Sequence, residues 1–327
     1  MRAVVVDELG GPEVLALRDV PEPEPGPGEV AIDVAYVGVN FADVTGRASG
    51  YLVASLPFVP GMEASGHVRA LGEGVTGLAV GQPVTAMTMA GGYADVVVAQ
   101  APLTYAVPDG MDLRTAAALP IVLPTAHALV HETARLGAGE SVLVHGAAGG
   151  VGTVVGQIAR HAEAAAVYGV VSTPDKARYA LDFGYDEVFL AADFDARARA
   201  ATDGRGVDVV LDSVGGETWR RSLALLAPFG RLVSFGNAAG EEPWSADFAS
   251  LIANAAGAHA FSISTLARTA PQALRPLAER SFALVAADEV EMPITAEFEL
   301  QDAAEAHVLL ESRASTGKIV LSVGSPQ

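Results

Sequence analysis

The sequence predicts an α/β chain in which a β-rich segment precedes a doubly wound parallel sheet. Three observations carry this. Over about residues 1–115, short alternating or apolar runs are divided by glycine turns, the texture of a compact β domain. From residue 113 helical patterns alternate with short apolar strands, the texture of a parallel sheet with crossover helices. Within that second part, Ser141-Val-Leu-Val-His-Gly-Ala-Ala-Gly-Gly-Val-Gly-Thr-Val-Val-Gly156 runs from an apolar strand through a glycine-rich turn into a helix.

The elements follow in order. Val4 to Val6 and Leu15 to Leu17 pair as a hairpin around Gly10-Gly11-Pro12. Pro21-Glu-Pro-Glu-Pro-Gly-Pro-Gly28 is a stiff surface turn, since proline cannot join a sheet interior. Val30, Ile32, Val34 and Tyr36 alternate with other residues and predict a half-exposed strand. Val68 to Leu71, Pro83 to Met87 and Tyr93 to Val98 are further strands, and Leu113 to Leu119 and Thr125 to Thr133 are helices. Val142 to Val144 is a buried strand, followed by a helix from Val154 to His161. After a second strand, Val167 to Val171, Thr173-Pro174 opens a helix that Gly184 stops. Threonine is its N-cap and proline its first helical residue. Glu187 to Leu190, Val207 to Leu211 and Arg231 to Phe235 are strands, with helices at Phe194 to Ala200 and Thr218 to Leu226. Trp219 in the latter packs in the core. A strand at Ala258 to Ser264, a helix at Pro271 to Ala278, strand-like segments near Ile294 and Phe298, a helix at Gln301 to Leu310 and a strand at Lys318 to Val323 complete the chain. The last of these are expected to return to the first domain.

Composition narrows the function. The 327 residues suit about two domains. No apolar run approaches the ~20 residues of a membrane helix, and Asp7 and Glu8 come too early for a signal peptide. A soluble, cytoplasmic protein without a membrane partner is expected. A net charge of −19 disfavours nucleic acid. The absence of cysteine removes disulfides, thiolate metal sites and cysteine nucleophiles. Of 20 cationic residues only Lys176 and Lys318 are lysines.

A strand, a glycine turn and a helix together make a dinucleotide pyrophosphate site. Glycines let the backbone approach the phosphates, and the helix start offers free N–H groups and a positive dipole end. Here the glycines stand at 146, 149 and 152, a spacing that departs from the commoner G-x-G-x-x-G.

Several motifs in order resemble one family: Gly38-Val-Asn-Phe-Ala-Asp43, Pro60-Gly-Met-Glu-Ala-Ser-Gly66, the glycine turn, Leu211-Asp-Ser-Val-Gly-Gly216, Leu232-Val-Ser-Phe-Gly-Asn237 and Gly317-Lys-Ile-Val-Leu321. The chain resembles the zinc-independent, ζ-crystallin-like quinone oxidoreductase branch of the medium-chain dehydrogenase/reductase superfamily, close to polyketide enoyl reductase domains. The resemblance implies a GroES-like β-barrel catalytic domain plus a doubly wound parallel-sheet (Rossmann) nucleotide domain. Residues 1–117 would be the first part of the catalytic domain, 118–261 the nucleotide domain and 262–327 the return. It also implies a homodimer, paired through the sheet edge at Ala258 to Ser264.

In zinc-dependent relatives a cysteine and a histidine stand where this chain has Asn40 and Met62, and neither replacement is an ordinary zinc ligand. His127 and His131 are four apart but lack the glutamate of H-E-x-x-H. No metal is therefore expected. Without a Lewis acid, a conjugated electrophile is the easier hydride acceptor, because its charge spreads to a remote oxygen that hydrogen-bond donors stabilise.

For the cofactor, the second strand ends in Val170-Val171-Ser172-Thr173 rather than in the acid that holds an NAD ribose. Ser172 does not repel a 2′-phosphate, and the resemblance gives Lys176 to that phosphate, so NADPH is expected. Two features run against it: Asp175 is acidic, and Ala191 stands where many relatives carry tyrosine.

The resemblance puts Asn40 and Thr125 beside the nicotinamide. Phe235, Gly236 and Asn237 lie on its other side, and Gly149, Gly150, Val151, Gly152, Ser213 and Lys318 complete the cofactor contacts. Asn40, Tyr51 and Asp43 are the catalytic candidates. Tyr51 is either a proton donor or a rim residue, and Asp43 supports its loop. Arg313 and Lys318 either approach the cofactor or open a strand. The expected function is an NADPH-dependent, metal-independent reductase of a quinone or conjugated carbonyl. The alternatives are an enoyl or 2-alkenal reductase acting on an α,β-unsaturated substrate, polyketide or thioester included, and a non-catalytic, crystallin-like NADPH-binding protein.

Overall fold

The computed structural model describes residues 1–241, 245–246 and 248–324. The chain divides into two compact units, Met1–Pro124 with Ser264–Gln327, and Thr125–Ile263. The first unit opens with the strands β1 (Arg2–Val5), β2 (Ala16–Asp19) and β3 (Glu29–Val39), then helix α1 (Phe41–Ser49). Strands β4 (Glu63–Leu71), β5 (Pro83–Met87), β6 (Val96–Gln100) and β7 (Thr104–Ala106) and helices α2 (Leu113–Ala116) and α3 (Val122–His127) follow. The second unit continues with β8 (Ser141–His145), α4 (Gly150–His161), β9 (Ala166–Val171), α5 (Pro174–Leu181), β10 (Glu187–Leu190) and α6 (Phe194–Ala201). It ends with β11 (Val207–Asp212), α7 (Gly216–Leu225), β12 (Leu226–Ser234), α8 (Phe248–Ile252) and β13 (Gly257–Ala260). The last stretch carries α9 (Ile263–Thr269), α10 (Pro271–Ala286), β14 (Ile294–Glu299), α11 (Ala303–Glu311) and β15 (Lys318–Ser322).

In the first unit β1 and β2 form the expected antiparallel hairpin, with Val4 opposite Leu17. A seven-stranded sheet runs β14-β15-β3-β4-β5-β7, with β6 also pairing β3. The final strand thus returns to the first domain, Ile319 pairing with Val39. β3 is not half-exposed as its alternation suggested. It pairs with β4 on one side, and with β6 at its start and β15 at its end on the other. Only Asp33 of the strand is exposed, because side chains from other segments, Leu300, Ala303 and Ala306 among them, pack with it in one core. Val30, Ile32, Val37, Ala64, Val84, Ile319 and Leu321 pack as the core of this unit.

The second unit holds a six-stranded sheet of order β10-β9-β8-β11-β12-β13, parallel in every pair. From β8 the chain moves to β9 on one side and later returns to β11 on the other. That makes the β8/β11 boundary the topological switch point, where open α/β sheets bind ligands at the strands' carboxyl ends. Leu143, Val170, Phe189, Phe194, Val210, Trp219 and Leu232 share its core.

Several boundaries differ from expectation: the first unit runs to Pro124 rather than 117, the strand expected at Tyr93 to Val98 is Val96–Gln100, and the helix from Pro271 extends to Ala286. α4 begins at Gly150, inside the glycine turn, not at Val154. The strand expected over Ala258 to Ser264 ends at Ala260, and a helix starts at Ile263.

Candidate active site

The carboxyl ends of β8, β11 and β12 gather one group of candidates. Gly146 turns the chain with φ +70, and the Gly149 N–H donates to its carbonyl at 2.9 Å. Gly149 is the N-cap of α4 and supplies no side-chain cap, so the amides of Gly150, Val151 and Gly152 face outward without a side-chain acceptor. A Cβ on Gly152 would lie 2.3 Å from the Gly146 carbonyl oxygen and 2.7 Å from the Ala147 Cα. Only glycine closes this turn. From behind, the Tyr185 hydroxyl donates to the Gly152 carbonyl at 2.6 Å and the Thr153 hydroxyl to that of Gly149 at 2.9 Å. A braced turn with open amides at a helix start fits a dinucleotide pyrophosphate.

Ser213 follows β11, and its hydroxyl donates to the His145 carbonyl across the switch point at 3.3 Å. The buried Asp212 carboxylate accepts the Val214 N–H at 2.7 Å and the Gly215 N–H at 3.2 Å. Burial raises its pKa, against the pull of those N–H groups. Phe235, Gly236 and Asn237 leave β12 beside this loop, and the Phe235 N–H donates to the Asp212 carbonyl at 2.9 Å. Asn237 donates to the Glu241 carbonyl at 3.1 Å, while its Oδ1 is buried without a partner.

Ser172 lies exposed just beyond β9. Thr173 caps α5, accepting the Lys176 N–H at 3.4 Å. Tyr179, one turn beyond Lys176, brings its hydroxyl to 3.3 Å from the Thr153 hydroxyl. Residues three apart share a helix face, so the face that carries Lys176 is turned toward the start of α4. Thr125 is buried in α3. The His127 and His131 rings lie 4.6 Å apart and tilted by 52°, His131 within the π-helical turn Ala128–Thr133. Among the described residues no three His, Cys, Asp or Glu side chains converge as metal ligands.

The first unit holds a second group. Lys318, at the start of β15, is buried. Its Nζ donates to Glu63 at 2.6 Å, Asn40 Oδ1 at 2.9 Å and the Val39 carbonyl at 3.0 Å. All three N–H donors point into the protein, leaving none for a cofactor phosphate. Asn40 Nδ2 donates to Glu63 at 2.9 Å and, more weakly, to the Gly38 carbonyl at 3.3 Å. The other Glu63 oxygen accepts the Ile121 N–H at 2.8 Å. Gly38 makes room for this carboxylate, since a Cβ there would lie 2.3 Å from it.

Asp43 is buried. It accepts the Asn40 N–H at 2.9 Å and the Gly61 N–H at 3.1 Å. It ties the start of α1 to the segment before β4, a supporting position. Burial pushes its carboxyl up to about 7, against the lowering effect of the Asn40 N–H, the Lys318 ammonium and the Gly61 N–H. Tyr51 stands beyond α1 with half its surface exposed, followed by the exposed Leu52.

Sequence reasoning left three long-range partnerships unread: Glu63 with Lys318, Arg47 with Glu311 and Tyr93 with His307. Arg47 is fully buried and also donates to the Gly10 carbonyl at 2.9 Å. The one available signal was the rarity of lysine, which had singled out Lys318.

Family comparisons agree with the two-unit fold. The alcohol dehydrogenase GroES-like domain matches residues 26–109, and the zinc-binding dehydrogenase family matches residues 150–279. A quinone oxidoreductase of Pseudomonas aeruginosa is 37% identical over 318 residues, covering 95% of this chain and 96% of that protein. The chain belongs to the quinone oxidoreductase branch of the medium-chain dehydrogenase/reductase superfamily. It is an oxidoreductase of that branch. A 2-haloacrylate reductase of a Burkholderia species is 33% identical over 98% of both chains. The crystal structure of Escherichia coli quinone oxidoreductase complexed with NADPH superposes with a TM-score of 0.91 at 31% identity, covering 99% of this chain and 100% of that one. The fold class read from the sequence, a GroES-like unit and a parallel-sheet nucleotide unit, agrees with these matches.

Proposed function

We propose that this chain is an NADPH-dependent reductase of quinones and related conjugated carbonyls. The observation that carries the reading is the glycine turn at the switch point, braced from behind and uncapped in front, in a chain of the quinone oxidoreductase branch. When bound, NADPH supplies the hydride. The amides of Gly150, Val151 and Gly152 hold its pyrophosphate, and Ser172 and Lys176 face its 2′-phosphate. Ser213 and Phe235 to Asn237 line the nicotinamide side, with Thr125 at the ribose. Asn40 is the donor to the substrate carbonyl, and the exposed apolar side chains of Phe41, Tyr51 and Leu52 suit a conjugated acceptor.

A second substrate class, small α,β-unsaturated acids and carbonyls, is favoured by the similarity to the 2-haloacrylate reductase. The partner is a second copy of this chain. Among the described residues β13 is an edge strand of its sheet with one side unpaired, and Phe229, Phe248 and Ile252 near it are strongly exposed.

The test is steady-state oxidation of NADPH and NADH against a panel of quinones and enones. Turnover with NADPH well above NADH is expected. Tight NADPH binding without turnover of any acceptor would sink the reductase reading and leave a binding protein.

A further inference from the structure

The buried Lys318–Glu63 pair needs a reason to exist. Both side chains are almost wholly withdrawn from water, with 4% and 0% exposure. Burying two charges costs several kcal/mol, and an apolar pair of like volume is often as stable or more so. Stability alone is therefore a poor account of it. What the pair does on the page is hold one amide. Lys318 Nζ lies 2.9 Å from Asn40 Oδ1, and Glu63 takes one Asn40 Nδ2 hydrogen at 2.9 Å. The other hydrogen reaches only the Gly38 carbonyl, at a long 3.3 Å.

We infer that Lys318 is a positioning residue for the reduction, acting through Asn40: its ammonium, fixed by Glu63, orients and polarises the amide so that the weakly engaged Nδ2 hydrogen is a strengthened donor. A cation on the amide oxygen draws electron density from the nitrogen, and linked hydrogen bonds polarise one another in a low-dielectric surrounding. Asn40 is half-buried, and its amide bonds to both members of the buried pair. No proton or electron moves in this role. This inference rests on the assignment of Asn40 as the donor.

A double-mutant cycle on kcat tests it, with Asn40→Ala and Lys318→Met measured singly and together at saturating NADPH. NADPH affinity is followed separately by fluorescence. If Lys318 acts through Asn40, each single change lowers kcat by roughly tenfold or more, NADPH affinity moves less than about twofold, and the double variant is no slower than Asn40→Ala alone. Independent, multiplying losses would mean that the lysine merely supports the fold, and would overturn the inference. Full kcat in Lys318→Met would do the same. Should the unpaired Glu63 prevent folding, Glu63→Gln/Lys318→Met removes both charges and takes the place of Lys318→Met in the cycle. Undiminished kcat in Asn40→Ala would instead defeat the donor assignment itself, a distinguishable failure.

Discussion

At the scale of single residues, charge and position decide function. Lys176 lies on the α5 face turned toward the start of α4. Removing its ammonium as Lys176→Ala should raise the NADPH dissociation constant about tenfold or more and leave NADH within about twofold, since one charge-assisted bond to phosphate is lost. Equal weakening of both, by fluorescence titration, would remove the case for 2′-phosphate recognition. The same scale sets what the sequence conceals. Asn40 stood out from its motif, but its neighbours Glu63 and Lys318 lie 23 and 278 residues away. No local pattern encodes such a meeting. Arg47 shares the helix face of Asp43 and Val44, but its charge would be read as solvent-facing; it is fully buried against Glu311, 264 residues on.

Elements were more legible, because they are local. The Val142 to Val144 run and the Thr173-Pro174 start stand as read, and the glycine turn is where expected although its helix starts four residues early, since an apolar run, glycines and a capping pair act within a few residues. The exposure of β3 was misread because its burial depends on side chains remote in sequence, such as Leu300, Ala303 and Ala306, which the alternation cannot see. Likewise the apolar texture of Ala258 to Ser264 hid a strand-to-helix change at Ile263. The turn itself yields a prediction. Gly152→Ala forces a Cβ against backbone at 2.3 Å, an overpacking that should cost about 1–3 kcal/mol in denaturant unfolding. It should also weaken NADPH and NADH alike, because both share the pyrophosphate. Unchanged affinity for both would argue against this turn as the phosphate site.

Over the whole molecule, proton linkage opposes itself. Burial lowers His145 and His307 from 6.5 to about 3, so the native state refuses protons that the unfolded chain accepts. Their contribution is present above pH 6.5 and is lost as the pH falls toward 3. Asp43, raised from 3.8 to about 7, acts in the opposite sense, its contribution being lost as the pH rises from 3.8 to 7. Between about pH 4 and 6 the two histidines outweigh Asp43, while Asp212, raised in the same sense by burial, shallows the slope toward the acid end. Stability should therefore fall on acidification, and His145→Gln or His307→Gln should each flatten that limb by about 1.4 kcal/mol per pH unit. Urea unfolding across this window checks both. Association belongs to the same scale: Phe229 holds a left-handed φ of 64 with 80% exposure. Phe229→Asp keeps a residue that tolerates this conformation, and should turn a sedimenting dimer into a monomer. A wild-type monomer would remove the edge-strand partner.

The Glu63 carboxylate has one further tie, to the Ile121 N–H. Ile121 stands just ahead of α3, in which the polypeptide departs from the first unit. One acid thus moors the departing tether, and Glu63→Ala should loosen that leash as well as strand a lysine. Protease cuts between residues 117 and 124 would appear before any global melting.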